Sequence, residues 1–178
     1  MERLNTLIDT NIRWLRQALR LLEQLDDTAY STTAPGMAPH RAGGHLRHVI
    51  EFYQAFLCGA ESLHIDYDAR RRDLEIERSR SAAADCIRAV IRELQTSTAV
   101  RFEAVVWVRM EDAAAGLVHE PFMESSISRE LQVLSSHTIH HFALIAMTLR
   151  LHGVDIDPDF GMAPSTLRYL AASAAEAA

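Results

Sequence analysis

The sequence predicts a mainly α-helical protein, an antiparallel four-helix bundle with a β-hairpin insertion around residues 100–124. Three observations lead to this fold class. Four segments carry apolar residues at helical spacing, long polar connections separate them, and one stretch rich in β-branched and aromatic residues breaks the helical period. The 178 residues are the usual size of one domain and contain no internal repeat, so we expect a single domain over residues 1–178.

The first two helices are predicted at about residues 2–25 and 44–63. In the first, apolar residues recur at helical spacing opposite a face of Arg, Glu and Gln. The connection to the second, "YSTTAPGMAPHRAGG", is rich in Ser, Thr, Pro and Gly and is therefore predicted as a loop. One stripe of the second helix combines two histidines with apolar residues: His45, His48, Val49, Phe52 and Phe56.

The third helix is predicted at about residues 81–97. It follows the charged stretch "DYDARRRDLEIERSR", residues 66–80, which we interpret as a solvated connection. After the helix comes a segment rich in β-branched and aromatic residues, with a turn-like "EDAAAG" in its middle. This pattern predicts a β-hairpin with strands at about 101–110 and 116–123, and an irregular insertion is the alternative.

The last long helix is predicted at about residues 126–152. Ser126 is a suitable N-cap, and Gly153 follows the expected C-terminal end. Beyond it, Pro, Gly and Asp residues indicate a loop-rich tail over 153–178, with room for a short final helix.

Composition excludes several classes of function. The net charge is −6, with 18 Lys and Arg against 24 Asp and Glu, whereas a nucleic-acid-binding protein is expected to present a basic surface. No apolar run approaches the roughly 20 residues of a membrane span. The N-terminal segment lacks the apolar core of a signal peptide, and the two cysteines form no metal or redox motif. We therefore expect a cytoplasmic protein that binds neither nucleic acid nor membranes.

Nine histidines are the unusual feature of the composition, and three of them form a candidate site. His137 and His141 are four positions apart, so they lie on one face of the last helix, together with Leu134 and Ile145. On the second helix, His48 lies in the apolar stripe. Because both faces point inward, the three imidazoles are expected to converge in the bundle core.

Three histidines with an open fourth position are typical of a catalytic metal site. We therefore predict one divalent transition metal, zinc first and nickel, iron or manganese as alternatives. A paired-carboxylate di-metal site is not favoured, because His48 and His137 have no Glu three residues before them. The alternative to metal binding is a set of hydrogen-bonded core histidines.

At the two histidine blocks, the sequence resembles the DinB-like superfamily. "GGHLRHVIEF" is similar to its first block and "SHTIHHFALI" to its second. The resemblance implies a four-helix bundle with His48, His137 and His141 as metal ligands and His140 as the extra histidine of many members. Two further stretches, "YDARRRD" at 67–73 and "FGMAPSTLRYL" at 160–170, resemble a subgroup without an assigned function.

The resemblance implies an activity as well as a fold. Members with a known role are metal-dependent transferases or isomerases that use a low-molecular-weight thiol, such as mycothiol or bacillithiol, and dimers are common. The implied function is therefore a thiol-dependent S-transferase acting on a small molecule, in a homodimer. A departure is that 142–144 read Phe-Ala-Leu where many members have Arg-Gly-Gln. A metal-dependent hydrolase at the same site and a non-catalytic metal-binding dimer are the alternatives.

Four further residues are expected beside the metal or in a substrate pocket: His45, His140, Tyr53 and Arg72. His45 lies one turn before His48 and is the alternative to it as the ligand from this helix, and His140 lies beside the ligand pair. Arg72 belongs to an arginine run that could hold an anionic substrate, with a surface charge run as the alternative. Glu51 lies off the inner stripe and is expected to be solvated.

Overall fold

The computed structural model describes residues 2–33, 36, 40–100, 103–110 and 121–176. In these ranges the chain forms seven helices and a small three-stranded sheet, so the fold is mainly α-helical. The helices are α1 (Glu2–Gln24), α2 (Asp27–Ser31), α3 (Ala42–Ser62), α4 (Leu74–Arg78), α5 (Arg80–Thr96), α6 (Ile127–Leu151) and α7 (Pro164–Glu176). The strands are β1 (His64–Asp66), β2 (Val105–Arg109) and β3 (Met123–Ser126).

All four predicted long helices are present, as α1, α3, α5 and α6, each with ends within two residues of the prediction. Two of them begin at side-chain caps. The Ser79 hydroxyl accepts from the backbone N–H of Ala82, and the Ser126 hydroxyl accepts from that of Arg129. The predicted N-cap at Ser126 is therefore confirmed.

The long helices share one apolar core. Helix α1 packs against α5 and α6, and α3 packs against the same two helices. Fully buried side chains such as Leu15, Phe56 and Phe142 fill the space between them. The contact between α3 and α6 positions the candidate site, because these two helices carry the predicted metal ligands. Within the described ranges, none of the helices combines the length and apolar content needed to cross a membrane.

The predicted β-hairpin is confirmed in part. Strands β2 and β3 pair antiparallel, with Val105 opposite Ser126 and Trp107 opposite Glu124. The second strand begins at Met123, later than the predicted start, and residues 111–120, which include the predicted turn, lie outside the described residues. The third strand, β1, was not predicted. It pairs parallel to β2 and joins the end of α3 to the sheet.

The interpretation of residues 66–80 as a solvated connection is wrong. Tyr67 and Ile76 are buried, and the segment contains α4. The Tyr67 hydroxyl donates to Glu130 Oε2 at 2.9 Å, and the Tyr30 hydroxyl donates to the carbonyl of Ile76 at 2.5 Å. The apolar residues within this charged stretch therefore anchor it to the core.

The tail is also more ordered than the predicted loop. The Phe160 ring stacks on Phe142 at a centroid distance of 4.7 Å, and Ile156 is buried. Gly161 has φ +76°, and a Cβ there would lie 2.7 Å from the Phe142 backbone, so this close approach requires glycine. Helix α7 then fills residues 164–176, since a proline at its first position and an alanine-rich sequence favour a helix.

Candidate metal centre

The packing of α3 against α6 brings the three predicted ligands together. The ring centroids of His48 and His137 lie 5.0 Å apart, those of His48 and His141 4.6 Å, and those of His137 and His141 4.5 Å. One ring nitrogen from each residue lies within 4.8 Å of the other two. Among the described residues, this is the group of histidine, cysteine and carboxylate side chains that could hold a metal ion.

Each helix presents its histidines through ordinary periodicity. On α6, Leu134, Thr138 and Ile145 are buried, which fixes the inward face on which His137 and His141 are half-buried. The neighbouring His140 is exposed, and its ring contacts that of His141 edge-on at 5.2 Å. His140 therefore lies beside the cluster as expected, on its solvent side.

The electrostatics of the cluster keep all three imidazoles neutral at pH 7. Burial is the main cause, and it lowers the pKa of His48 to about 3, of His137 to about 4 and of His141 to about 2. Positive charge from Arg70 lowers the pKa of His48 and of His137 further. A neutral imidazole carries the lone pair that a metal requires.

One buried ring nitrogen of the cluster lacks a hydrogen-bond partner among the residues that the structure describes. His137 Nε2 is buried and no hydrogen-bond partner is found for it among the described residues. Buried polar atoms are rarely left unpaired, and such an atom calls for an explanation such as an ion. The three-imidazole donor set and this orphaned nitrogen fit a divalent transition metal.

His45 contacts the cluster directly. Its Nδ1 lies 3.1 Å from Nδ1 of His141, and its ring stacks on that of His40 at 5.4 Å. Burial lowers the pKa of His45, so both members of the hydrogen-bonded pair are neutral. One of the two must donate, and the contact occupies Nδ1 of His141 and leaves its Nε2 available. This is how residues behind a metal ligand fix its tautomer and orientation.

Phe52 forms the apolar wall of the cluster, a role that sequence reasoning did not assign to it. Its ring centroid lies 4.1 Å from that of His137 and 4.7 Å from that of His48. Tyr67 stacks on the Phe52 ring at a centroid distance of 4.9 Å, and the guanidinium carbon of Arg70 lies 4.4 Å from the centroid of the same ring. The available signal was its position four residues after His48 on the same helix.

The arginine run approaches the cluster through a different residue from the one predicted. Arg72 is exposed and has a positive φ of 54°, whereas Arg70 is half-buried over Phe52. Of these two arginines, Arg70 is therefore the one that contacts a wall of the cluster, through Phe52. The turn that follows Tyr67 determines which arginine faces inward. Because three arginines stand in a row, the sequence alone does not indicate which one that is.

Tyr53 serves the core between helices. It is fully buried, and its hydroxyl donates to Asn11 Oδ1 at 2.7 Å and lies 3.1 Å from Thr138 Oγ1. Burial raises its pKa, so the hydroxyl stays protonated. The Asn11 amide in turn donates to the carbonyl of Leu131. Tyr53 thus links α1, α3 and α6 behind the cluster, and it contacts the residue next to His137.

The expectation that Glu51 is solvated is wrong. Its side chain is 2 % exposed, and its Oε1 accepts from the backbone N–H of Asp73 at 2.6 Å. Its Oε2 accepts from Arg47 at 3.2 Å. The carboxylate therefore holds the segment that carries Arg70 against α3. The apolar periodicity of α3 could not predict this contact, because its partner comes from another segment.

An open pocket of about 380 Å³ reaches two of the three histidines, His48 and His141. Its other walls are built by charged and polar side chains near the start of α3 and from α4. They include Arg41, His45, Arg47 and Glu77. A small molecule thus has access to the cluster from the surface.

Comparisons with known proteins do not assign the chain to a family. No protein-family model matches it, and no solved structure matches it. The chain is 30% identical over 106 residues to "FK506-binding protein 5" of Rhizopus delemar. The match covers 60% of this chain and 27% of that protein, so the chain spans about a quarter of the length of this relative.

Proposed function

We propose that the protein is a metal-dependent enzyme of the DinB-like superfamily, a thiol-dependent S-transferase with His48, His137 and His141 as metal ligands. The observation that carries the proposal is the convergence of these three half-buried imidazoles beneath an open pocket. The proposal includes the finer description of the fold, in which α1, α3, α5 and α6 form an antiparallel four-helix bundle.

The metal we propose is a single divalent ion, zinc first and nickel, iron or manganese as alternatives. The neutral imidazoles and the unpaired Nε2 of His137 support this choice. Three histidines leave a coordination position open, as in catalytic sites. Such an ion, when bound, supplies a positive charge that lowers the pKa of water or of a thiol beside it.

The residues around the cluster have separate tasks in this proposal. His45 orients the His141 ring through the contact between their Nδ1 atoms. Phe52 excludes water from one side of the cluster, because its ring covers His48 and His137. Arg70 lies on Phe52 and adds positive charge, which favours an anionic sulfur nearby.

The proposed reaction joins a small thiol to a small electrophile. A bond forms between sulfur and an electrophilic carbon, and the bond from that carbon to its leaving group breaks. The leaving group takes the electron pair, and the thiol proton passes to solvent. We further propose that the protein acts in the cytoplasm as a homodimer and uses neither nucleic acid nor a membrane.

The test of this function is a transfer assay with zinc-loaded protein, small thiols and 1-chloro-2,4-dinitrobenzene, in which chloride is the leaving group. We expect conjugate formation that needs both metal and thiol and that is lost in His48→Ala. The matched control is His64→Ala, since His64 is exposed and its ring contacts the carbonyl of Ser62. Ester hydrolysis by the loaded protein without thiol would favour the hydrolase instead. No metal-dependent reaction of either kind would contradict an enzymatic role.

A further inference from the structure

Two arginines with unused donors line the pocket above the histidine cluster. Arg41 Nε lies 3.2 Å from Glu77 Oε1, and Arg47 Nε lies 3.0 Å from Glu77 Oε2. Arg47 Nη1 also donates to Glu51. Within the described part of the chain, no protein acceptor is found for the two Nη atoms of Arg41 or for Nη2 of Arg47. The carboxylates therefore hold the guanidiniums in place and leave their outer N–H groups available.

The accessible cationic groups of the pocket can bind an anion. Arg41 and Arg47 line it, and their charges are matched by Glu77, which also lines it, and by Glu51, which is buried on Arg47 and is not among the lining residues. In a chain with a net charge of −6, two guanidiniums at one pocket are a local concentration of positive groups. The side chain of Arg41 is 35% exposed and that of Arg47 is 18% exposed, so both remain accessible from the pocket.

We propose that this pocket recognises the carboxylate of a small thiol, with Arg41 and Arg47 binding the carboxylate while the sulfur reaches the histidine cluster. The inference rests on the proposed function and deepens it by naming the class of thiol. Guanidinium N–H groups match a carboxylate in a planar, charge-assisted arrangement, and the outer N–H groups of both arginines are available for it. His48 and His141 line the same pocket, so one molecule with sulfur and carboxylate at its two ends can contact both the histidines and the arginines.

The experiment uses cobalt-loaded protein, because a thiol that reaches cobalt gives a sulfur-to-cobalt charge-transfer absorption. The probes are 3-mercaptopropionate and its neutral methyl ester, each titrated against the parent and its variants. We expect the acid to bind the parent about tenfold more tightly than the ester, as charge-assisted hydrogen bonds imply. Arg41→Gln should reduce this preference to nearly one, and Arg41→Lys should keep part of it. The matched control is Arg88→Gln, which removes the same charge at an exposed site on α5.

Three results would overturn the inference. Equal binding of acid and ester by the parent would show that the pocket does not recognise the carboxylate. The proposed thiol transfer would not be affected by this result. A preference for the acid that persists in both Arg41→Gln and Arg47→Gln would assign it to chelation of cobalt by the probe. Absence of the absorption with either thiol would mean that thiols do not reach the metal, so the proposed function would fail as well. Circular dichroism checks that each variant is folded.

Discussion

At the scale of single residues, the site depends on contacts that orient neutral imidazoles. The Nδ1 contact between His45 and His141, at 3.1 Å, leaves Nε2 of His141 available to a metal. Phe52 closes the cluster on one side. Sequence periodicity could predict the inward faces of the two helices, because such faces follow from local spacing. It could not predict that Arg70 faces inward, since that depends on a turn held by Glu51 from another element.

His45→Ala should weaken metal binding by about 10–100-fold, because a ligand that loses its supporting hydrogen bond is less well oriented. Competition with a coloured chelator measures the affinity. His64→Ala serves as the control and should retain the parental affinity. An unchanged affinity in His45→Ala would exclude the orienting role.

Tyr53→Phe should destabilise the protein by about 1–2 kcal/mol, because Asn11 loses a buried hydrogen-bond donor. Metal content should stay at the parental value, since the hydroxyl links helices behind the cluster. Urea denaturation gives the free energy of unfolding, and elemental analysis gives the metal content. If Tyr53→Phe kept the parental stability but lost metal, the Tyr53 hydroxyl would instead support the metal site.

At the scale of elements, close packing between short segments and α3 shapes the pocket. A Cβ on Gly43 would lie 2.1 Å from the carbonyl oxygen of Glu77, so α4 can approach α3 only over a glycine. This approach places Glu77 beside the two arginines. The four long helices were predictable from their periodicity, whereas β1 was not, because its three residues pair with a strand more than 40 positions away.

Gly43→Ala should destabilise the protein by roughly 1–3 kcal/mol, the range for overpacked positions, because α4 must move away from α3. The neighbouring Gly44 provides the control. A Cβ there meets nothing closer than 3.5 Å, and alanine favours a helix, so Gly44→Ala should leave stability unchanged or raised. Urea denaturation compares the two. Equal stability of both variants would contradict the close approach of α4.

The ion pair between Asp66 and Arg109 joins β1 to β2 and predicts a pH dependence. The hydrogen bond from Arg109 lowers the pKa of Asp66 below its ordinary value of 3.8. A carboxyl group with a lowered pKa in the folded state stabilises the protein above pH 3.8 and loses this contribution as the pH falls through the folded value. The stability that the parent gains over Asp66→Asn should therefore be small at pH 7 and should shrink as the pH falls below 3.8. A difference that grows on acidification would have the wrong sign.

At the scale of the whole molecule, the histidine cluster lies at the edge of a core that is complete without it. Large apolar side chains fill the space among the long helices, and the three histidines are only half-buried. A catalytic metal is expected to stabilise such a fold, whereas a structural metal would be needed to form it. For the proposed enzyme, the fold is therefore expected to persist without metal.

Metal removal should leave the helical content unchanged and lower the midpoint of thermal unfolding. A metal that binds only the folded protein raises its free energy of unfolding by about 2.7 kcal/mol when the free metal concentration is 100 times the dissociation constant. Circular dichroism before and after chelation measures both quantities. Unfolding of the protein on chelation would instead identify the metal as structural.

His48, His137 and His141 are proposed to hold one metal ion, and the metal content of untagged protein tests this proposal. Elemental mass spectrometry should find about one zinc, nickel, iron or manganese ion per chain. The ion should be lost from His48→Ala and from His137→Ala while both variants keep the helical circular dichroism of the parent. Absence of metal from the parent after reconstitution, or full metal content in either variant, would contradict a three-histidine metal site.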